Sequence, residues 1–417
     1  MKVSLSDAAY GVAARSASGR AAGFLQAALL MIGSCLPVMA AVLIAPVLPK
    51  IQANYAALPQ VEILVPVMLT VPSLVLGIIS PFAGALVDQI GRKRLLLVAL
   101  LLYGVAGTAP LWLQSLYAII GSRALVGVAE AAIMTSCTTL IGDYWDGAQR
   151  ERLLTMQTVV ASIAATCFFL CGGALGELGW RAPFVLYIVG FVLWLPALWI
   201  LYEPRSAEST SHTAMAPTEV AFFPVYAVCA ICAITLVAAV CFYLVPVHLS
   251  FLLDGLGEHS TKRIGQAIGI SSIATVIGAA AYPVLTRLGV ARHLAVAFGL
   301  MCVGFLWVSH VTEYRAVVMA AFVTSLGAGS VIPALVNWML RTVSFAQRGR
   351  GTGAFLASFF LGQFICPLVV LGIKTAIHGS LAEAIGIMGA VAGVATVISL
   401  FASIPTIAAL LIRIAKP

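Results

Sequence analysis

Long apolar runs alternate with short polar breaks along the whole chain. A helix needs about 20 apolar residues to cross a bilayer. Runs of that kind fall near 24–48, 61–83, 95–113, 116–142, 153–176 and 182–202. A second set follows near 223–250, 265–286, 293–311, 315–340, 352–375 and 385–412. Between the sets lies Glu203 to Glu219, containing SAESTSHTAMAPTE, which has no hydrophobic period and reads as a linker. The pattern predicts an all-α membrane protein with twelve transmembrane helices in two pseudo-symmetric six-helix bundles. The expected divisions are a tail at 1–22, a bundle at 23–202, a linker at 203–222 and a bundle at 223–417.

Composition narrows the class. Of 417 residues, 62% are hydrophobic and 9% charged, where a soluble protein carries about 25% charged residues. Lipid must therefore cover most of the outside. The net charge of +8 would suit nucleic acid, but the basic residues sit in short breaks between apolar runs, which is a topology signal. No nucleic-acid partner is expected. The nine cysteines lie inside apolar runs. Cys229 and Cys232 form a CxxC with no second ligand pair, so they read as helix packing, and neither a metal nor a cofactor is expected. Met1 to Gly23 carries Lys2, Arg15 and Arg20, and the apolar run after it continues to about Leu48, too long for a signal core. A cytosolic tail before an uncleaved first helix is expected.

With the N-terminus inside, the inner loops and tails hold 16 Lys and Arg residues and the outer side 6. Positive charge stays inside, so both termini are expected in the cytosol of a cell inner membrane. The two sets also look duplicated. Ala148-Gln149-Arg150-Glu151-Arg152 and Ala346-Gln347-Arg348-Gly349-Arg350 stand 198 residues apart, and the same offset carries Gly91 onto Gly289 and Arg94 onto Arg292. Two loops agreeing on one offset point to tandem halves, with substrate bound between them near the bilayer midplane.

The loop after the second run reads Gly84-Ala-Leu-Val-Asp88-Gln-Ile-Gly91-Arg92-Lys93-Arg94. Gly84 allows close helix approach, Gly91 a tight turn, and Asp88 and Arg92 are spaced to pair. This resembles the signature loop of the major facilitator superfamily, G-x-L-A-D-R-x-G-R-K, with Gln89 in place of a basic residue. Arg123-Ala-Leu-Val-Gly127-Val-Ala-Glu130-Ala-Ala is similar to the family's R-x-x-Q-G-x-G-A-A, with Val126 for glutamine and Glu130 added. Gly179-Trp180-Arg181-Ala-Pro183-Phe184 resembles the G-W-R-W-P-F of many bacterial exporters. The resemblance implies a twelve-helix exporter of the drug/proton antiporter kind, in which Asp88, Arg92 and Asp143 form a charge cluster that locks the outward-facing state. One departure stands out. Such exporters usually carry Gly-Pro-x-x-Gly-Gly in the fifth helix; here Gly172 and Gly173 are present, but Phe168 and Phe169 occupy the Gly-Pro positions.

Ionisable groups near the bilayer centre usually face a cavity. Arg123 and Glu130 are the charges that fall well inside a run. Seven residues apart, they share a helix face with Gly127, about 10 Å apart along the axis. Each could instead meet a partner on another helix, such as Gln26. The second half offers Tyr243, Asn337 and Gln363. Phe168, Phe242, Phe355 and Phe359 are candidates for an apolar cavity wall, and His248, near a helix end, reads as interfacial. The leading expectation is a monomeric secondary transporter that exports an amphipathic small molecule by alternating access, coupled to protons. Uptake or exchange of a small organic anion held by Arg123 is the alternative. A membrane-embedded transferase would need clustered carboxylates or histidines; Asp143 and Asp146 stand as a lone DxxD at a helix end, and no HxxxD is present.

Overall fold

The computed structural model describes residues 22–203, 223–344 and 347–403, side chains at 81 and 83–88 excepted. Among these residues twelve helices are long and apolar enough to cross a membrane. They are α1 (Phe24–Asn54), α2 (Val61–Ile90), α3 (Arg92–Leu111), α4 (Leu116–Tyr144), α5 (Gly147–Gly176) and α6 (Ala182–Ile200). The second six are α7 (Val225–Gly255), α8 (Thr261–Ala280), α9 (Val290–His310), α10 (Tyr314–Thr342), α11 (Arg348–Ala376) and α12 (Leu381–Ala402). Helices suit this setting because every backbone group finds its partner within the segment, where lipid offers none. The tail at 1–21, most of the linker (204–222) and the chain beyond 403 lie outside the described residues.

Several helices run further than their apolar cores. α5 begins at Gly147 and α7 continues to Gly255, because polar residues at membrane surfaces extend a helix without needing lipid. α1 is interrupted instead. It consists of Phe24–Gly33, Leu36–Val42, a short turn at Ala45–Val47 and Leu48–Asn54. Pro37, Pro46 and Pro49 sit at the starts of the later pieces, where a missing amide donor does least harm.

The packing repeats. In the first half α4 lies against α2 and α3, and α3 against α6; in the second, α10 lies against α8 and α9, and α9 against α12. The halves meet through α5 with α8 and through α2 with α11, again a matched pair. α4 and α10 have 29 residues each and begin 198 residues apart. Gly91 and Gly289, related by that offset, precede α3 and α9 with φ of 95° and 84°. That left-handed conformation is open to glycine at little cost. The result is two pseudo-symmetric six-helix bundles. An even number of crossings puts Phe24 and Ala402 on one face, called proximal below; the other is distal.

Candidate functional site

A cavity of about 390 Å³ lies between the halves. α5 and α8 bound one side of it. They press together toward the distal face, where a Cβ on Gly173 would stand 2.6 Å from the Thr261 carbonyl oxygen and 2.9 Å from Gly265 Cα. Nearer the proximal face Thr166 donates to Ser272 Oγ at 3.0 Å, and beyond that bond Thr158, Ser162, Thr275 and Ala279 face the cavity instead of one another. On the other side α2 meets α11 through Ser73, which donates to Gln363 Oε1 at 3.0 Å. At the distal rim Lys374 pairs with Glu62 at 3.0 Å. Tyr243 of α7 donates to the Ala41 carbonyl of α1 at 2.7 Å, a further tie between the halves.

The walls are mixed. Phe169, Phe242, Phe359 and Phe360 supply aromatic surface, with Phe242 and Phe359 centred 5.9 Å apart. Serines and threonines of α2, α5, α8 and α10 supply hydroxyls. Among the described residues one ionisable side chain lines the cavity, that of Glu130. It is 3% exposed, and its Oε1 has no hydrogen-bond partner.

Arg123 takes no part in the lining. It is fully buried on the distal side of Glu130, one Nη donating to the Tyr187 hydroxyl at 2.5 Å and the other to the Ala40 carbonyl at 2.6 Å. Its guanidinium carbon lies 5.3 Å from the centre of the Tyr187 ring. Tyr103 packs on Tyr187, with centroids 5.1 Å apart, and donates to the Leu36 carbonyl at 2.7 Å. Arg123 thus ties α4 to α1 and α6 within one half. Arg123 and Glu130 form no ion pair, and the guanidinium is met by neutral oxygens.

The sequence-based candidates therefore divide. Glu130, Tyr243 and Gln363 come together at the cavity. Gln26 does not: its amide donates to the Ile200 carbonyl at 3.3 Å and its Oε1 accepts from the Gly23 amide, which holds it at the proximal end of α1. Asn337 bonds to the Tyr282 hydroxyl beside His293, away from the central cavity. Gly127 lets α2 approach α4, since a Cβ there would come within 2.7 Å of the Pro72 carbonyl oxygen. Phe169, not Phe168, faces the cavity, and Phe355 stacks behind Phe359 at 6.3 Å. His248 is 1% exposed rather than interfacial.

On the proximal face Arg92 Nε lies 2.8 Å from Asp143. The Asp88 side chain and that of Gly84's neighbours fall outside the described set. Glu203 opens the linker expected from the sequence, yet its carboxylate accepts from the amides of Arg92 at 2.6 Å and Lys93 at 3.0 Å. It caps the start of α3, whose first amides have no partner within the helix. Lys93 reaches the Leu198 carbonyl at 2.8 Å, while Arg94 is exposed.

The model of the family described as Major Facilitator Superfamily matches residues 30–367. The chain belongs to that superfamily. It is a multi-pass membrane transporter, not an enzyme, of a family that carries small-molecule substrates and typically acts as monomers. It is 23% identical over 347 residues to the multidrug efflux protein YfmO of Bacillus subtilis, covering 78% of this chain and 81% of that one. Over 127 residues it is 28% identical to a gallate transporter of Pseudomonas putida, covering 30% and 28% of the two chains. Over 141 residues it is 22% identical to the quinolone resistance protein NorA of Staphylococcus aureus, covering 34% and 36%. The last two matches thus span about a third of each relative. Among solved structures, a bacterial homologue of the human lysosomal transporter Spinster, inward-facing and unoccupied, superposes with a TM-score of 0.70 at 14% identity, covering 91% of this chain and 94% of that one. The nucleoside transporter NupG superposes at 0.69 with 12% identity, covering 90% and 100%. These likenesses are of fold.

Proposed function

We propose that this protein exports amphipathic, positively charged small molecules in exchange for protons, by alternating access of the central cavity. The observation that carries the reading is the Glu130 carboxylate, which faces an aromatic-walled cavity with one oxygen unpartnered. An enclosed carboxylate is costly unless something neutralises it. A proton can do so, and so can an organic cation whose apolar body packs against Phe242 and Phe359, where aromatic faces attract positive charge. The two exclude each other at one carboxylate, and mutual exclusion is what an exchanger requires. The efflux names of two relatives agree with this direction. The anion reading is less well supported, because Arg123 lies outside the cavity lining and directs both Nη groups to Tyr187 and Ala40, leaving only a buried Nε unpartnered.

In this scheme the proximal face is cytosolic, and the Arg92–Asp143 contact with the Gly84–Arg94 loop steadies one of the alternating states. The test is transport in proteoliposomes under an imposed pH gradient, with a lipophilic cation, a neutral amphiphile and an organic anion compared. Glu130→Gln keeps shape and hydrogen bonding but not charge. Uphill movement of the cation is expected to stop, and its affinity to fall by about ten- to a hundredfold, since a hydrogen bond to a charged group contributes about 1.5–3 kcal/mol. Parental uphill transport by this variant would sink the reading, and anion transport surviving only with Arg123 intact would install the alternative.

A further inference from the structure

On the distal face the two halves are joined by a shared helix cap. Glu177 follows α5 in the first half. Its Oε1 accepts from the Lys262 amide at 2.8 Å, the Ser260 hydroxyl at 2.8 Å and the Thr261 hydroxyl at 3.1 Å. All three donors sit at the start of α8 in the second half. The first amides of a helix lack partners within it, and that end carries the positive pole of its dipole. α12 meets the same need locally, with Ser380 and Glu383 forming a reciprocal capping box. α8 does so only in part: Ser260 accepts from the Arg263 amide and Glu258 from the Ser260 amide. The Lys262 amide is met from the other half. Beneath the cap Thr261 also donates to the Gly173 carbonyl at 2.9 Å, and Lys50 of α1 donates to the Gly176 carbonyl at 3.0 Å.

We propose that Glu177 is a latch between the halves, holding the distal face closed and releasing in every transport cycle when α5 and α8 part there. The contact exists only in the distally closed state, so its strength sets part of the balance between the two states. The proposal rests on alternating access but not on the role assigned to Glu130.

The charge of the latch has a defined pH range. The groups that face it are Lys50 from α1, Lys262 and Arg263 from α8, and Glu258 before α8, which pairs with Arg263 at 2.5 Å and accepts from the Ser260 amide. The Lys262 amide, then the Ser260 hydroxyl, with smaller help from Thr261 and Lys50, hold the Glu177 carboxyl below the usual carboxylate range against slight desolvation. A proton therefore binds more weakly when the latch is made. The latch is complete above the ordinary glutamate value of about 4.3 and is lost as pH falls through the depressed one. It stays charged at neutral pH.

The experiment uses the full chain in lipid nanodiscs, without the exposed cysteines Cys167, Cys171 and Cys229. Spin labels at Ser115→Cys and Thr312→Cys, one on each half near the distal face, report opening as a distance distribution. Glu177→Ala is expected to raise the distally open population about two- to fivefold, the range of an exposed charged contact. Glu177→Gln, which keeps an acceptor but no charge, should give a smaller rise and remove the extra opening expected of the parent at acid pH. Glu383→Gln, whose carboxylate caps its own helix, should change neither reading. Size-exclusion profiles check folding, and the near-isosteric Gln variant keeps the test open if Ala fails. Parental distributions and parental acid response in both Glu177 variants would overturn the proposal, whatever Glu130→Gln does to transport.

Discussion

Two neighbouring glycines in α5 should fail in different ways when enlarged. Gly172 faces α1 in its own half, and a Cβ there would lie 1.9 Å from the Leu43 carbonyl oxygen. Gly173 faces α8 in the other half, where a Cβ would lie 2.6 Å from the Thr261 carbonyl oxygen, about 0.8 Å short of an ordinary 3.4 Å contact. The obstructing atoms are backbone in both cases, so no rotamer change relieves them. In Gly173→Ala the helices must separate, and the Thr261 hydroxyl loses its bond to the Gly173 carbonyl. Overpacking costs about 1–3 kcal/mol and the lost bond about 1. The penalty of about 2–4 kcal/mol falls only on the distally closed state, so the open state should gain roughly 30- to several-hundredfold in relative population. Gly172→Ala disturbs a contact present in both states and should lower the melting temperature with no bias between them. Distance distributions across the distal face, paired with thermal melts of the same samples, separate the two outcomes. The reasoning fails if Gly173→Ala melts early with its state balance unchanged, or if Gly172→Ala shifts that balance.

Two shorter expectations accompany this one. Arg123→Ala strands the Tyr187 hydroxyl and the Ala40 carbonyl in a buried site, at about 1–3 kcal/mol for each orphaned group; a markedly lower melting temperature than for Tyr187→Phe is expected, and equal melting of the two would remove the structural role. A cysteine at Ser209, in a background without reactive cysteines, should resist impermeant thiol reagents in intact cells if the linker is cytosolic, and ready labelling would invert the orientation.

The twelve spans were legible because burying or lipid-covering 20 residues demands an unbroken apolar run, and nothing else in this chain makes such runs. The duplication was legible at Gly91 and Gly289, where the backbone needs a positive φ and so preserves the residue. Helix ends were less legible, since polar residues at a membrane surface lengthen α5 and α7 at no penalty. The site was half legible. A polar residue in an apolar run announces that it needs a partner, and Glu130, Tyr243, Gln363, Gln26 and Asn337 all gave that signal. The pattern does not say which partner. Gln26 found a backbone carbonyl at a helix end and Asn337 found Tyr282, so neither reaches the cavity. Glu177 and Glu203 gave no signal at all, because each caps a helix start far away in sequence, α8 and α3. Tyr103 and Tyr187 were hidden among many aromatics; only their approach to Arg123 and Leu36 distinguishes them.

The duplication also sharpens what the charges mean. The 198-residue offset carries Arg123 onto Ala321 and Glu130 onto Ala328, both buried in α10. Of the second pair Glu130 lines the cavity and Ala328 does not, so a carboxylate stands at one of the two related positions alone. A structural need common to both bundles would be met in both. The closeness of α4 to α2 is such a need, and it recurs between α10 and α8 through Gly329, where a Cβ would lie 2.0 Å from the Thr275 carbonyl oxygen. Glu130 does not recur. Its counterpart wall offers Ser325, Gln363 and aromatic rings instead, so the second half presents surface while the first presents charge. If the halves alternate about the cavity as proposed, that surface shifts relative to the Glu130 carboxyl held in α4, and the surroundings of that one ionisable group change.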